Sequence, residues 1–209
     1  MPTVTIGQRA ANTYSGTEDN MLADFDPNTP YPSETGTGGD NPFLLRFTGL
    51  SNITGPVTVT DAFITINCIS GDASSDTITV KRVLQNWVEA QTSWNNYATS
   101  TPWGTAGCLL DATDRVAANS CTVAYNGGFN TGDYASTGNA TLISDVQDMI
   151  NNPSTNEGWR LGGAVAEAWG LPANATDGNR PFLTVTYTVD AGPGDHVKAR
   201  RMLPWQYDR

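Results

Sequence analysis

An all-β fold carrying one short helix is predicted by three features of this sequence. The 209 residues include 21 glycines and 12 prolines, and only 15% are charged, the make-up of many short strands joined by turns. Several runs alternate apolar and polar residues with a period of two, as half-buried strands do. A single segment, just after residue 140, has the wider spacing of a helix. The length suits one large β domain, which buries enough surface to fold alone.

Taken in order, residues 3–9 form a first strand. Residues 13–42 are punctuated by Gly, Pro, Asp and Asn and read as one long loop, a kind of segment that is usually functional or docked on the surface. Residues 43–48 are a strand with Phe43, Leu45 and Phe47 on one face and Leu44 and Arg46 on the other. Residues 57–69 are the longest β-like run, with Ala62, Ile64, Ile66 and Cys68 inward. Gly71 and Asp72 turn the chain into a strand in which Ile78 and Val80 share a face. The segment that follows carries Trp87, Trp94 and Trp103, half of the six tryptophans. An indole buries on the order of 200 Å2, worth several kcal/mol at about 25 cal/mol per Å2, so three in one crossing segment normally close a core.

Residues 107–139 lose this periodicity, and YNGGFNTGDYASTGN within them reads as an exposed loop. Leu142, Val146, Met149 and Ile150 then make an apolar helical stripe. Ser144 with Gln147 reads as a capping box, and Asn151-Asn152-Pro153 as the stop. Trp159, Leu161 and Gly163 start another strand, and Leu183, Val185, Tyr187 and Val189 close the sheet. Residues 191–195 are a linker, so the chain divides into a body, 1–190, and a C-terminal tail, 191–209.

Val83, Trp87, Glu89, Ser93, Trp94, Asn95 and Asn96, spaced V-x-x-x-W-x-E-x-x-x-S-W-N-N, resemble the central signature of the DNRLRE (disaggregatase-related) domain family. Three further blocks are similar to that family in the same order. FLLRFTGL at 43–50 resembles its early strand, DVQDMINNPSTNEGWRL at 145–161 its helix and next strand, and RPFLTVTYT at 180–188 its closing strand. The resemblance covers residues 3–189 and implies a jelly-roll β-sandwich with one short α-helix and long loops. At the family's W-x-E position, Glu89 is read as a loop-fixing hydrogen-bond acceptor. Relatives include carbohydrate-binding modules on polysaccharide lyases, parts of large surface proteins and components of phage particles, so the resemblance implies fold more than function.

The formal charge of −10 argues against nucleic-acid binding, which needs clustered cations. No apolar run nears the roughly 20 residues that span a bilayer, so no membrane insertion is expected. Neither a basic segment nor an apolar stretch follows Met1, so no secretory signal is expected. The three cysteines divide by context. Cys68 lies on an inward face and reads as a buried free thiol, whereas Cys108 and Cys121 flank a 12-residue loop and could pair if oxidised.

The only histidine, His196, lies in the tail, which leaves the body without a Ser-His-Asp or Cys-His site. Glu89, Asp111, Asp114 and Glu167 sit on loops, but no spacing pairs them as glycoside hydrolysis requires. The chain is therefore expected not to be an enzyme. Asp24, Asp26 and Asn28 have the D-x-D-x-N opening of a calcium loop but lack its later glycine and glutamate. Structural calcium is the one cofactor considered, beside the plainer reading of solvated turn carboxylates. Asp111 with Asp114, and Asp72 with Asp76, are looser candidates of the same kind.

Sugar binding by β-sandwiches uses exposed rings that stack on pyranose faces. Tyr97, Trp103, Tyr125, Tyr134 and Trp169 are least tied to strand patterns, and Tyr134 and Trp169 sit in the most polar stretches. They are the candidate platform, although each also reads as a loop anchor. An acidic body favours neutral sugars over uronates unless Arg115 or Arg160 lines the site. The tail differs from the body. It places Met202, Leu203, Pro204, Trp205 and Tyr207 among Lys198, Arg200, Arg201 and Arg209. Against Asp195 and Asp208 these four cations leave +2 on the tail and −12 on the body. Lys198, Arg200, Arg201, Met202, Leu203, Trp205 and Tyr207 are accordingly the expected partner-anchoring residues. The sequence thus points to a virion surface component (capsid decoration, fibre or tail-associated protein) docked on other virion proteins or on copies of itself, with a host glycan as a further ligand. The alternative is an extracellular carbohydrate-binding module associated with polysaccharide degradation.

Overall fold

The computed structural model describes residues 1–7, 16–32, 36–37, 41–163, 168–170 and 177–190, and the tail lies outside them. The strands run in chain order as β1 Thr3–Ile6, β2 Glu18–Met21, β3 Gly36–Thr37, β4 Phe43–Arg46, β5 Val57–Ser70, β6 Asp76–Arg82 and β7 Asn96–Ala98. β8 Thr101–Pro102, β9 Cys121–Tyr125 and β10 Gly132–Thr137 follow. The helix α1 Ala140–Asn151 precedes β11 Trp159–Gly162, β12 Ala168–Trp169 and β13 Phe182–Val189.

The hydrogen-bonded path is β1-β13-β5-β10-β9-β6-β11-β4-β2. With the edge strand β2 set aside, the strands pair from the outside inward: β1 with β13, β4 with β11, β5 with β10 and β6 with β9, all antiparallel. Layers β1-β13-β5-β10 and β9-β6-β11-β4 nested in this way are a jelly roll, the architecture expected from the sequence. β10 belongs to both layers. Its first part, Gly132 to Ala135, pairs with β5, and Ser136 and Thr137 pair with β9.

The main core lies between the layers. Phe43, Leu45 and Phe47 meet Ile64, Ile66, Ile78, Val80, Trp159, Leu161, Leu183 and Val185, all fully or nearly fully buried. Alternation alone explains each of these faces except in β5, where Val57 and Val59 share the core with Ala62 and Ile64. The two pairs differ in parity, and a bulge reconciles them: Thr186 pairs with Asp61 and Tyr187 with Val59, so Thr60 is the extra residue. The stripe Leu142, Val146, Met149 and Ile150 lays α1 against the same core.

The outer face of the second layer is also covered. Leu22, Leu44, Val83, Trp87, Trp103 and Cys108 form a separate cluster there, with Trp94 and Tyr97 packed against it. The tryptophan-rich segment therefore closes a second, smaller core, and the structural expectation for Trp87 holds.

Several local expectations are corrected. Residues 13–42 are not all loop, because Glu18–Met21 is strand β2, with Asp19 and Asn20 fully buried. Residues 125–139 are not an exposed loop either: Tyr125 ends β9 and Gly132–Thr137 is β10. Asn139, not Ser144, is the N-cap of α1, and no side chain caps it. Gln147 instead accepts the Val59 N–H at 2.7 Å and donates to the Val57 carbonyl at 3.1 Å, satisfying β5 where β10 does not reach it. All three cysteines are free and buried. Cys108 lies in the outer cluster and Cys121 in the main core, on opposite faces of one layer, so they do not pair.

Two tests follow from these contacts. Gly158 has φ +65°, and a Cβ there would strike the Leu45 carbonyl and come within 2.7 Å of the Arg46 Cα. Gly158→Ala is expected to lower unfolding free energy by at least about 2 kcal/mol in urea titrations. Asp148 receives an Arg82 hydrogen bond at 2.5 Å that, with its other partners, holds its carboxyl below the usual 3.8. A lowered folded-state value means stability that is complete above about pH 4 and is lost as pH falls through that value. Asp148→Asn is expected to be less stable than the parent at neutral pH, with the gap closing on acidification below that point.

Candidate functional site

The segment after β6 is built on polar anchors as well as indoles. Trp87 donates its Nε1–H to the Glu157 carbonyl at 2.8 Å, and Trp103 donates its own to the Ser93 carbonyl at 3.0 Å. The Arg46 guanidinium lies 4.6 Å from the centre of the Trp87 ring and donates to the Trp87 carbonyl. It also binds the carboxylates of Glu18 and Glu157, the latter at 2.7 Å. Glu89 accepts the Asp19 N–H at 3.0 Å, and its carbonyl accepts from the Asn20 side chain at 2.7 Å. Glu89 thus fixes the loop onto β2, as its position in the sequence led us to expect.

The other loop carboxylates are similarly engaged. Asp114 is fully buried and accepts the backbone N–H groups of Gly104, Thr105 and Leu110 at 2.7–3.0 Å. Asp111 accepts from Arg115 at 2.9 Å and lies 3.8 Å from Lys81, and the Arg115 hydrogen bond holds its carboxyl below the ordinary range. Burial pushes Glu157 and Glu89 upward and outweighs the opposing pull of Arg46 on both. Glu167 lies outside the described residues. The described ones, Glu89, Asp111, Asp114 and Glu157, are each bound to backbone N–H groups or to a cation.

Three of the five candidate platform rings, Trp103, Tyr125 and Trp169, are buried, and Tyr97 and Tyr134 are half-buried against them. Trp169 and Tyr125 are each only 1% exposed and belong to the main core. Tyr134 packs on both, at centroid distances of 5.7 and 5.4 Å, so these three rings form one cluster that offers no free face on Trp169 or Tyr125. Trp103 is buried in the outer cluster, with the half-buried Tyr97 tilted against it at 5.5 Å. Polar neighbours in sequence misled the reading of Trp169: β12 pairs with β5, which carries it into the core. Arg160 is also buried, donating to the Gly107 carbonyl at 2.9 Å, and burial lowers its guanidinium to about 10.

Asp24, Asp26 and Asn28 are used separately. The Asp24 N–H donates to the Asn41 side chain, Asp26 accepts from the Tyr31 hydroxyl, and Asn28 accepts from Asn95. The last of these, with the Asn95 N–H donated to the Pro27 carbonyl at 2.9 Å, docks the turn on the tryptophan-rich segment. Among the described residues no three His, Cys, Asp or Glu side chains are grouped as metal ligands. The seven tail residues from Lys198 to Tyr207 named above lie outside the described residues.

One concave site has no sequence signal. A groove of about 530 Å3 opens at the edge of the sandwich between β1 and the 3-10 turn Thr48–Asn52. Val4, Ile6, Ile53 and Tyr187 supply its apolar surface, and Thr5, Thr48, Ser51 and Asn52 supply hydroxyl and amide groups. Gly7, Gly16 and Gly49 line the rest. Gly49 is required by close approach, since a Cβ there would lie 2.7 Å from Ile6. None of the described lining side chains is charged. A second depression, about 360 Å3, lies over Glu18, Arg46, Asn86 and Glu157, where the charges already satisfy one another.

Burial also governs the thiols. It pushes Cys108 and Cys121 up to about 12, and Cys68 is fully buried. Native protein is therefore expected to react negligibly with Ellman's reagent, with three thiols per chain titrating after denaturation. A native-state reaction of two thiols would contradict the buried placement. Comparison of the chain with protein-family models, curated proteins and solved structures finds no match.

Proposed function

We propose that this protein is a non-enzymatic structural and binding component of a virion surface, a jelly-roll body held in place by its C-terminal tail. The observation that carries the non-enzymatic reading is the engagement of the loop carboxylates. Glu89 and Asp114 hold backbone N–H groups, and Asp111, Glu18 and Glu157 hold cations. Groups committed to fixing loops are poorly placed to exchange protons with a substrate.

Two features support the virion setting over a secreted module. Three buried free thiols suit a protein folded in a reducing compartment, whereas secreted domains tend to oxidise theirs. A tail of +2 attached to a body of −12 suits docking on an acidic assembly, including further copies of the body. The DNRLRE resemblance accommodates both settings, and the secreted carbohydrate-binding module stays the alternative. Structural calcium at Asp24, Asp26 and Asn28 is not needed by this reading, because hydrogen bonds already fix that turn.

Deleting residues 191–209, or making Trp205→Ala with Arg201→Ala, is expected to abolish co-sedimentation with capsids. The thermal midpoint of the body should stay unchanged. Undiminished assembly by these variants would rule out the tail as the anchor.

A further inference from the structure

We propose that the Asn126–Gly127 link is a site of self-modification, where the folded chain cyclises without an enzyme and exchanges an amide for a carboxylate. This inference stands apart from the virion reading, since it needs neither the tail nor a partner.

The sequence supplies one condition. Of all the asparagines, Asn126 alone is followed by glycine. With no Cβ on the following residue, the backbone nitrogen meets the least hindrance in reaching the asparagine side chain. The structure supplies the other condition. Asn126 is exposed at the start of the β9–β10 connection, and its carboxamide makes no hydrogen bond among the described residues. The bonds that fix this turn fall on its neighbours. The Gly128 N–H donates to the Ala73 carbonyl at 3.2 Å, and the Phe129 N–H donates to the Asp72 carbonyl at 2.6 Å. Asn130 donates to the Gly127 carbonyl at 2.5 Å, but the Gly127 N–H itself has no partner among the described residues. Nucleophile and electrophile are both unengaged and adjacent in the chain.

Glycine is required at 127 on separate grounds. It has φ +73°, and a Cβ there would lie 2.7 Å from the Ala73 carbonyl oxygen. Packing against the β5–β6 turn therefore fixes the glycine of the pair, whereas no described contact constrains the side chain at 126.

The step balances with water as its only co-reactant. The Gly127 nitrogen attacks the Asn126 Cγ, the Cγ–Nδ2 bond breaks, and the amide nitrogen leaves as ammonia, taking the Gly127 proton. Water then opens the resulting succinimide. Addition at Cγ leaves aspartate at 126, and addition at the main-chain carbonyl leaves isoaspartate, whose backbone is longer by one carbon. Either product puts a new carboxylate beside Asp76, which lies opposite Tyr125 in the β6–β9 pair. The longer backbone also displaces the anchoring N–H groups of Gly128 and Phe129, and Phe129 carries a ring 69% exposed.

The test is prolonged incubation of the full chain in mildly alkaline buffer made with heavy-oxygen water, followed by peptide mapping. Native protein and protein unfolded in guanidinium chloride are compared. Heavy oxygen is expected at residue 126 in both, with the native rate within about tenfold of the unfolded one, as for a link that opens at little cost. A carboxyl methyltransferase specific for isoaspartate should label the same peptide. Asn126→Gln, a change at an exposed position, should abolish both signals, because glutamine closes its larger ring far more slowly. Conversion confined to the unfolded chain, a native rate lower than the stated range, preferential conversion of other asparagines, or a native signal that survives Asn126→Gln would each overturn the proposal.

Discussion

Arg46 is the joint on which the outer half of this molecule depends. Its guanidinium sits against the Trp87 ring, donates to the Trp87 carbonyl, and holds Glu18 of β2 and Glu157 just before β11. Three segments far apart in sequence are thereby pinned to one residue of β4. The side chain is only 12% exposed, so its charge is tolerable only while both carboxylates stay in place. Trp87 reinforces the joint by donating to Glu157 through its indole. The tryptophan-rich segment could not lie flat on the sheet without this arrangement, because an unpaired cation would sit beneath it.

The same economy of polar contacts explains why the loops are ordered by named groups rather than by apolar burial alone. Asp114 supplies the acceptors for a turn that has no regular structure of its own, and Glu89 closes the free edge of β2. Gln147 does similar service for β5 from the side of the helix. Each replaces a ladder bond that geometry withholds, which is how long connections remain attached to a compact sandwich.

Much of the sandwich was legible in the sequence. The alternation at Ala62, Ile64, Ile66 and Cys68, at Ile78 and Val80, and at Leu183 and Val185 places these residues in the core, whereas Val189 of the same closing run is exposed; the stripe in α1 gives the helix its packed face. What escaped has physical causes. The residues of β2, Glu-Asp-Asn-Met, have no strand propensity, and they pair only because β4 and the Glu89 loop supply partners on either side. β10 looked like loop because its glycine-rich surroundings hide a strand that turns the corner between layers. Ser144 and Gln147 satisfied a local rule while the helix began earlier, and Gln147 was claimed by a distant strand. The groove could not be read at all, since it exists only where a 3-10 turn approaches β1 across some 45 residues of chain.

The pairing of β1 with β13 has a mechanical corollary. Thr3 lies opposite Thr186, and the Tyr187 N–H reaches the Pro2 carbonyl, so residues 2 and 190 emerge at the same corner of the body. Tension between those two points would part the strands rung by rung, as a zip opens, rather than shear every rung at once. A load carried only through the later end would bypass that seam and be borne by the long β13–β5 ladder, which joins the strand to the centre of its layer.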